Sequence, residues 1–288
     1  MFSSPQLAST FPTKQLGTTL FAFEDLSSTN SFALELIQKN PRDGALVCAD
    51  HQTEGRGRLD RLWFSPPGLN IYASLIKALP EAASLQNAGW IPLLAGLAIL
   101  QALEKSTKLS LDLKWPNDIL SHGRKLGGIL CETATDFSGK RWVVIGFGIN
   151  VNQTKISLPL ELQETATSLQ EESGRQWDRL FLLHHMTSSV ENLFLDPEPE
   201  NLLAWKKSYQ ERCSTVAQVV QAKFPDGSEL VGKARSIGEQ GQLQVCPISF
   251  LRKPQSDRIV DIHAADILHI RPITPNLNRF HPENEDSP

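Results

Sequence analysis

The stretch Gln52-Thr-Glu-Gly-Arg-Gly-Arg58, closed by Arg61-Leu-Trp-Phe-Ser-Pro-Pro-Gly68, constrains the fold more than any other part of the chain. It alternates glycine with guanidinium and hangs between two segments of strand character, residues 45–49 and 70–76. Glycine lets a backbone approach a ligand with no Cβ in the way. Arginine offers a planar fork of donors suited to phosphate and carboxylate oxygens. Together they predict an anion clamp. The spacing is neither that of a P-loop, because no Lys-Ser/Thr follows a glycine at the right offset, nor that of the Gly-x-Gly-x-x-Gly turn that opens a dinucleotide-binding helix. Read alone, such a run is equally a solvated loop or a nucleic-acid contact.

Around the clamp the pattern is mixed. Residues 1–15, rich in Ser, Thr and Pro, read as a flexible arm. A short strand is expected at 21–23, and Ser27-Ser-Thr-Asn30 offers N-caps for a helix over 31–39 that Asn40-Pro41 ends. Leucines at 93, 94, 97, 100 and 103 predict a helix over 89–105. Strands follow at 109–114, 126–132 and 141–147, with turns at His122-Gly123 and Ser138-Gly139, then helices at 177–195 and 200–210. Residues 16–212 thus form an α+β domain. From 213 to 272 the composition shifts to short strands, at 216–223, 229–237, 243–245 and 258–262, with turns at Pro225-Asp-Gly227 and 238–241. That spacing predicts a small SH3-like barrel. The acidic, proline-containing stretch 273–288 reads as a disordered tail.

With 288 residues the chain is long enough for one large domain and a smaller one. A net charge of -4 argues against a dedicated nucleic-acid binder. The N-terminus lacks a basic region followed by an apolar run, and the apolar stretch 90–103 is broken by Pro92, Gly96 and Gln101. Neither signal peptide nor membrane span is expected, which implies a cytoplasmic protein. Cys48, Cys131, Cys213 and Cys246 show no Cys-x-x-Cys spacing and read as reduced core residues. No His/Cys/Asp cluster suggests a protein-built metal site, and His184-His185 reads as structural.

Three further segments bear on the clamp: Lys114-Trp-Pro-Asn-Asp118, Gly123-Arg-Lys-Leu-Gly-Gly128 and Gly146-Phe-Gly-Ile-Asn150. Each sits where a predicted strand starts or ends, so a sheet could gather them beside the Arg/Gly loop. Trp115 is assigned to the core. Asn117 and Asp118 are assigned to function, because adjacent polar groups at such a point need partners if buried. Ser28 and Thr29 are also good helix caps, Gln52 an ordinary loop residue, Trp63 a plausible anchor for the loop, and Asn150 a routine turn former.

This order of motifs resembles that of the biotin protein ligases, also called biotin–acetyl-CoA-carboxylase ligases. The resemblance spans roughly residues 21–272. It is carried by Ser28-Thr29-Asn30, Gln52 before Gly55-Arg-Gly-Arg58, Trp63, Ser65-Pro66, Gly68-Leu-Asn70, the three segments above, and Ala166-Thr-Ser-Leu169. It implies a mixed-sheet biotin/lipoate ligase-like catalytic domain with packed helices. The implied reaction has two steps: biotin's carboxylate attacks the α-phosphate of ATP, and the biotinyl-adenylate then acylates a lysine of a biotin carboxyl carrier protein of a biotin-dependent carboxylase. Two anions must meet, so fixed positive charge is the main lever.

By this resemblance Arg58 bridges phosphate and carboxylate oxygens, and Lys125 touches the biotin carboxylate and the α-phosphate. Asp118 orients the incoming lysine, accepts its proton or holds a metal bound to ATP. Ser28, Thr29, Asn30, Gln52, Gly55, Arg56 and Gly128 belong to the biotin slot. Gly57, Arg61, Trp63 (stacked on adenine), Asn117 and Asn150 belong to the adenylate side. Mg2+ is expected with the triphosphate. The loop should be loose before binding and then close. One departure stands out: the family often continues Gly-Arg-Gly-Arg-Arg-Gly-Arg, whereas Leu59 and Asp60 replace the second of these adjacent arginines and its glycine.

The resemblance also sets the alternatives. An N-terminal winged helix-turn-helix has no room before Phe21, so neither nucleic acid nor membrane is expected as a partner; the chain is expected to be a monomer or homodimer. A lipoyl or octanoyl transferase is disfavoured by Lys114-Trp-Pro-Asn-Asp118 and the C-terminal barrel, and Cys131 sits inside an apolar strand pattern rather than exposed. A biotin-binding protein that has lost its chemistry is the non-enzymatic reading.

Overall fold

The computed structural model describes residues 15–79, 85–195, 199–224, 228–248, 259–263 and 269–272. The expected arm up to residue 14, the 225–227 turn and the 273–288 tail lie outside the described residues. The chain divides into two compact units, one reaching Ser214 and including Glu239–Gly241, the other formed by Thr215–Gly238 and the residues from Gln242 onward.

The first unit is built on a mixed seven-stranded sheet in the order β1-β2-β3-β7-β6-β5-β4. Its strands are β1 (Thr19–Leu26), β2 (Ala45–Gln52), β3 (Ile71–Ala78), β4 (Asp112–Lys114), β5 (Asp118–Ser121), β6 (Arg124–Thr135) and β7 (Arg141–Ile149). Only β1 and β2 run parallel, joined by helix α1 (Thr29–Lys39); the other neighbours are antiparallel. Ser28 caps α1 by accepting from the Ser31 N–H, and the helix stops at Asn40, before Pro41. Helix α2 (Ile91–Thr107) follows a 3-10 turn and carries Pro92 in its first turn, where a missing N–H is harmless. It ends at Lys108, whose left-handed backbone (φ 63°) stops it.

Strand alternation puts these helices on opposite faces. Trp142 and Val144 of β7, opposite Ala134 and Glu132 of β6, join Ala33 and Ile37 of α1 in one core cluster with Ala45, Val47 and Ile76. Ile129, an odd number of steps from Glu132 along β6, faces the other way, towards Gly96 of α2. Helix α2 is buried nearly all round, because α4 (Arg179–Leu195) and α5 (Pro199–Arg212) also pack on it.

Several expectations shift. The strand expected over 109–114 shortens to β4, because α2 and its cap extend to Lys108. Strand β5 was not foreseen: it has only four residues and turns back through His122 and Gly123, both left-handed. Helix α3 (Leu169–Ser173) was also missed; Ser168 caps it by accepting from the Glu171 N–H.

The second unit is a small β domain of five antiparallel strands in the order β11-β10-β9-β8-β12, with β8 at Val219–Lys223, β9 at Glu229–Ile237, β10 at Leu243–Pro247, β11 at Val260–Ile262 and β12 at His269–Pro272. The last strand was not anticipated. Among the described residues no helix is long and apolar enough to cross a membrane, and the four cysteines are free thiols.

Candidate functional site

The sheet register explains where the motifs meet. Leu26 pairs with Gln52, Ile71 with Ile149, Gly128 with both Gly148 and Asp118, and Asp118 with Lys114. The end of β2, the start of β3, the end of β7, the start of β6 and the short β5 paired with it therefore share one end of the sheet. The Gly/Arg segment springs from that end.

The segment forms a turn closed by its own backbone hydrogen bonds. Gly57 N–H donates to Arg61 O at 2.7 Å, Trp63 N–H to Gly55 O at 2.8 Å and Arg61 N–H to Arg58 O at 3.3 Å. Arg56 pairs with Leu62 as an antiparallel bridge. At the tip Leu59 takes a left-handed backbone (φ 57°, ψ 44°), which glycine adopts freely and leucine does not. The chain then returns to lay the Trp63 indole on the sheet. A Cβ on Gly148 would come within 2.5 Å of Trp63 Nε1, so this position has to lack a side chain. Gly128 lies beneath the same ring. Trp63 Nε1 is buried with no protein acceptor.

Lys125 approaches the same place from β6. Its ammonium is 5.2 Å from the Trp63 ring centroid and 2.7 Å from Asp118 Oδ1. The latter is an ion-pair contact out of line for a hydrogen bond. Arg58 completes the cationic group: burial lowers its pKa from the ordinary arginine value, the Asp118 charge opposes that shift and the Arg61 charge adds to it. The guanidinium stays charged at neutral pH. Lys125 is also bracketed through its backbone, its N–H donating to Thr165 O at 2.8 Å and its C=O accepting from Thr167 N–H at 2.9 Å.

Beside this group lies a neutral one. Gln52 Oε1 accepts from the Thr29 N–H at 2.9 Å and from Thr29 Oγ1 at 3.1 Å, while Gln52 Nε2 donates to Ser65 Oγ at 3.0 Å. Ser28, by contrast, spends its hydroxyl on the α1 cap. Asn30 turns across the sheet, with Nδ2 donating to Leu130 O at 3.1 Å and to Glu132 Oε2 at 2.8 Å. Arg56 meets Glu132 with both guanidinium nitrogens, at 2.9 and 3.2 Å. Asn117 Nδ2 donates to Ile129 O, and Asn150 Nδ2 to Thr167 O, both at 2.9 Å, so each amide locks a neighbouring chain segment. Trp115 is buried, as expected.

Ser74, Glu132 and Glu172 take part in this site without having been singled out from the sequence, and Ser65 and Thr167, present in the motifs, had been given no role of their own. Glu172 accepts from Arg124 Nη2 at 2.7 Å and Thr167 Oγ1 at 2.5 Å and so fixes the segment beside Lys125. Burial acts to raise its carboxyl, but hydrogen bonds from Thr167, His122 and Ser121 and the Arg124 charge together hold it below the ordinary value. The available signal was a single polar residue inside an apolar strand, as with Ser74 in Ile71-Tyr-Ala-Ser-Leu-Ile76. Among the described residues no cluster of three His, Cys, Asp or Glu side chains could hold a metal ion.

Residues 22–150 match the Biotin/lipoate A/B protein ligase family. The chain is 35% identical over 255 residues to the bifunctional ligase/repressor BirA of Bacillus subtilis (strain 168), covering 88% of this chain and 75% of that protein. It is 32% identical over 239 residues to the biotin–[acetyl-CoA-carboxylase] ligase of Mycobacterium tuberculosis, covering 80% of each. Among solved structures, the biotin protein ligase from Aquifex aeolicus in complex with biotin and ATP matches with a TM-score of 0.71 at 27% identity, over 89% of this chain and 100% of that one. By its motifs, its mixed sheet and these likenesses, the chain belongs to the biotin/lipoate A/B protein ligase family, among its biotin protein ligases.

Proposed function

We propose that this protein activates biotin with ATP and transfers it to a lysine of a biotin carboxyl carrier protein. A carboxylate oxygen of biotin attacks the α-phosphorus of ATP; the bond to the bridging oxygen breaks and pyrophosphate leaves, giving biotinyl-5'-AMP. The carrier lysine then attacks the acyl carbon and AMP departs. The observation that carries this reading is the meeting, at one sheet end, of the neutral Thr29–Gln52 pair with the cations Lys125 and Arg58. Biotin needs both. Its ureido ring calls for oriented neutral donors and acceptors, and its carboxylate, facing a phosphate, calls for positive charge already in place.

In this reading Thr29 and Gln52 receive the ureido group, with Ser28 and the backbone of Gly55 at its border. Lys125 and Arg58 offset the carboxylate–phosphate repulsion. Trp63 covers the adenine, Arg61 and Gly57 line the phosphate side, and Asn117 and Asn150 hold the strand ends that shape it. A phosphate competes with Asp118 for the Lys125 ammonium, which frees a carboxylate to take the proton of the incoming lysine. Magnesium would accompany the triphosphate and offset its charge, with Asp118 as the carboxylate that could meet it. The second unit is read as an SH3-like barrel, supported by its short antiparallel strands, and the reaction is assigned to the cytoplasm. Thiol chemistry of the transferase kind is disfavoured because burial pushes the Cys131 thiol far up.

The test is one incubation of the protein with ATP, magnesium, biotin and a carrier domain, following pyrophosphate and the carrier's mass. Biotin-dependent pyrophosphate release and the mass of one biotinyl group on the carrier are expected. A carrier of unchanged mass overturns the ligase reading.

A further inference from the structure

We propose that Glu132 is a positioning residue that ties the Gly/Arg turn to the Thr29–Gln52 pair, so that filling that pair's pocket and fixing the turn are one event. This rests on the biotin-ligase reading above and adds to it a residue that no motif contains.

The tie is a continuous chain of side chains. Glu132 takes both nitrogens of the Arg56 fork, at 2.9 and 3.2 Å, a bidentate pairing that fixes direction as well as distance. The same carboxylate accepts from Asn30 Nδ2 at 2.8 Å. Leu130 O accepts from the other side of that nitrogen, so two acceptors determine which way the Asn30 amide points. Its oxygen therefore faces Ser74, whose Oγ is 2.6 Å away and supplies the hydrogen. Ser74 Oγ is also 2.8 Å from Thr29 Oγ1, and Thr29 in turn is 3.1 Å from Gln52 Oε1.

A hydroxyl has one hydrogen. With the hydrogen of Ser74 committed to Asn30, the hydrogen of Thr29 serves either Ser74 or Gln52. A ligand acceptor at Thr29 changes that choice at the point where the chain running from Arg56 through Glu132, Asn30 and Ser74 meets it. The far end returns to the same turn: Gln52 Nε2 donates to Ser65 Oγ, and Ser65 Oγ donates to Trp63 O at 2.9 Å. One polar chain thus grips the turn on both flanks, at Arg56 and at Trp63. Asn30, expected to touch the ligand, is in this account a second positioning residue, because both its amide hydrogens are committed to Leu130 and Glu132. Gly146 makes room for it: a Cβ there would lie 1.9 Å from Asn30 Oδ1.

The experiment compares wild type, Glu132→Gln, Arg56→Ala and the double variant. Gln at 132 keeps the shape but removes the charge and replaces one carboxylate oxygen by a donor NH2, so Arg56 can no longer be held by both of its nitrogens. Biotin affinity is expected to fall on the order of tenfold in Glu132→Gln, the equivalent of about one lost hydrogen bond to a charged group. In the Arg56→Ala background the same change should cost little more, because coupled groups are not additive. Independently of activity, trypsin should cut the Gly/Arg turn of the free protein faster in Glu132→Gln, and biotin should protect it less. Unchanged affinity and cleavage, or effects that add fully with Arg56→Ala, overturn the proposal. If Glu132→Gln does not fold, Arg56→Lys carries the same test, since lysine keeps the charge but cannot pair bidentately. A wild type that neither binds biotin nor releases pyrophosphate removes the ligase reading itself, and the trypsin comparison still decides whether Glu132 tethers the turn.

Discussion

Lys125 holds its ammonium between Asp118 and the Trp63 ring, so a cation is already in place when a ligand arrives. In the proposed reaction it meets charge that develops at the α-phosphate. Lys125→Ala is expected to lower biotin-dependent pyrophosphate release by ~10²–10³-fold, the effect of removing a preorganised charge from a transition state. The unfolding midpoint should barely move, because partly exposed ion pairs contribute only about 0–1 kcal/mol. Near-normal release would contradict the assignment. Gly146 tests the opposite kind of position. An alanine methyl there has to displace Asn30 from its place on β7, and overpacking of this kind costs ~1–3 kcal/mol before the lost hydrogen bonds are counted. A Gly146→Ala protein as stable to urea as wild type would show that Asn30 moves aside freely. Lys125 and Arg58 were singled out through the resemblance, since a Gly/Arg run read alone is equally a solvated loop; what the structure adds is that Asp118 lies beside both of them. Glu132 and Ser74 were not singled out, because their meaning lies in what stands opposite them across strands. Leu59 was legible only as a departure; the structure gives it a physical form, a left-handed residue at the turn tip that costs about 1–2 kcal/mol relative to glycine.

Among the elements, the β6–β7 hairpin has the clearest pH signature. Asp136 Oδ1 accepts from Ser138 N–H at 2.8 Å, Ser138 Oγ at 2.6 Å and Lys140 N–H at 3.1 Å, and Oδ2 accepts from Trp142 Nε1 at 2.9 Å. Chiefly through the Ser138 and Trp142 side chains, these bonds lower its pKa from 3.8 to about 2. A depressed folded-state value means that the carboxylate stabilises the fold above the unfolded value, and that this is lost as pH falls through the folded one. The loss therefore falls between about pH 4 and pH 2. Denaturant unfolding across that window should show a steeper fall for wild type than for Asp136→Asn; identical slopes would deny the hairpin this role. Long elements with clear periodicity, such as α2, were read closely. Four-residue β5 and five-residue α3 were not, since neither completes enough of a period, and their turns and caps, His122-Gly123 and Ser168, carry the signal instead.

At the scale of the whole molecule, the change from helices to short strands visible in the composition falls between α5, which ends at Arg212, and β8, which begins at Val219. What composition could not convey is that seven strands bring motifs separated by a hundred residues to one end of a sheet. If that end binds biotin and ATP, ligands raise the stability of the unit by mass action, ~2.7 kcal/mol at a hundred times Kd. Thermal unfolding should therefore shift upward with biotin, and further with biotin and ATP together than with the sum of either alone, because the adenylate spans both halves; strictly additive shifts would argue against a joined site. The carboxylates at that end carry one more consequence. Lys125 already holds Asp118, and Arg56 already holds Glu132. To a nucleotide still in solution, these two cations present a field muted by their partners, and the remaining pull fades within a Debye length of about 8 Å at physiological salt. Capture is then governed less by long-range attraction than by exchange of partners after contact, so discrimination among anions falls to the step in which a carboxylate is displaced, and a passing anion that cannot displace one leaves as readily as it came.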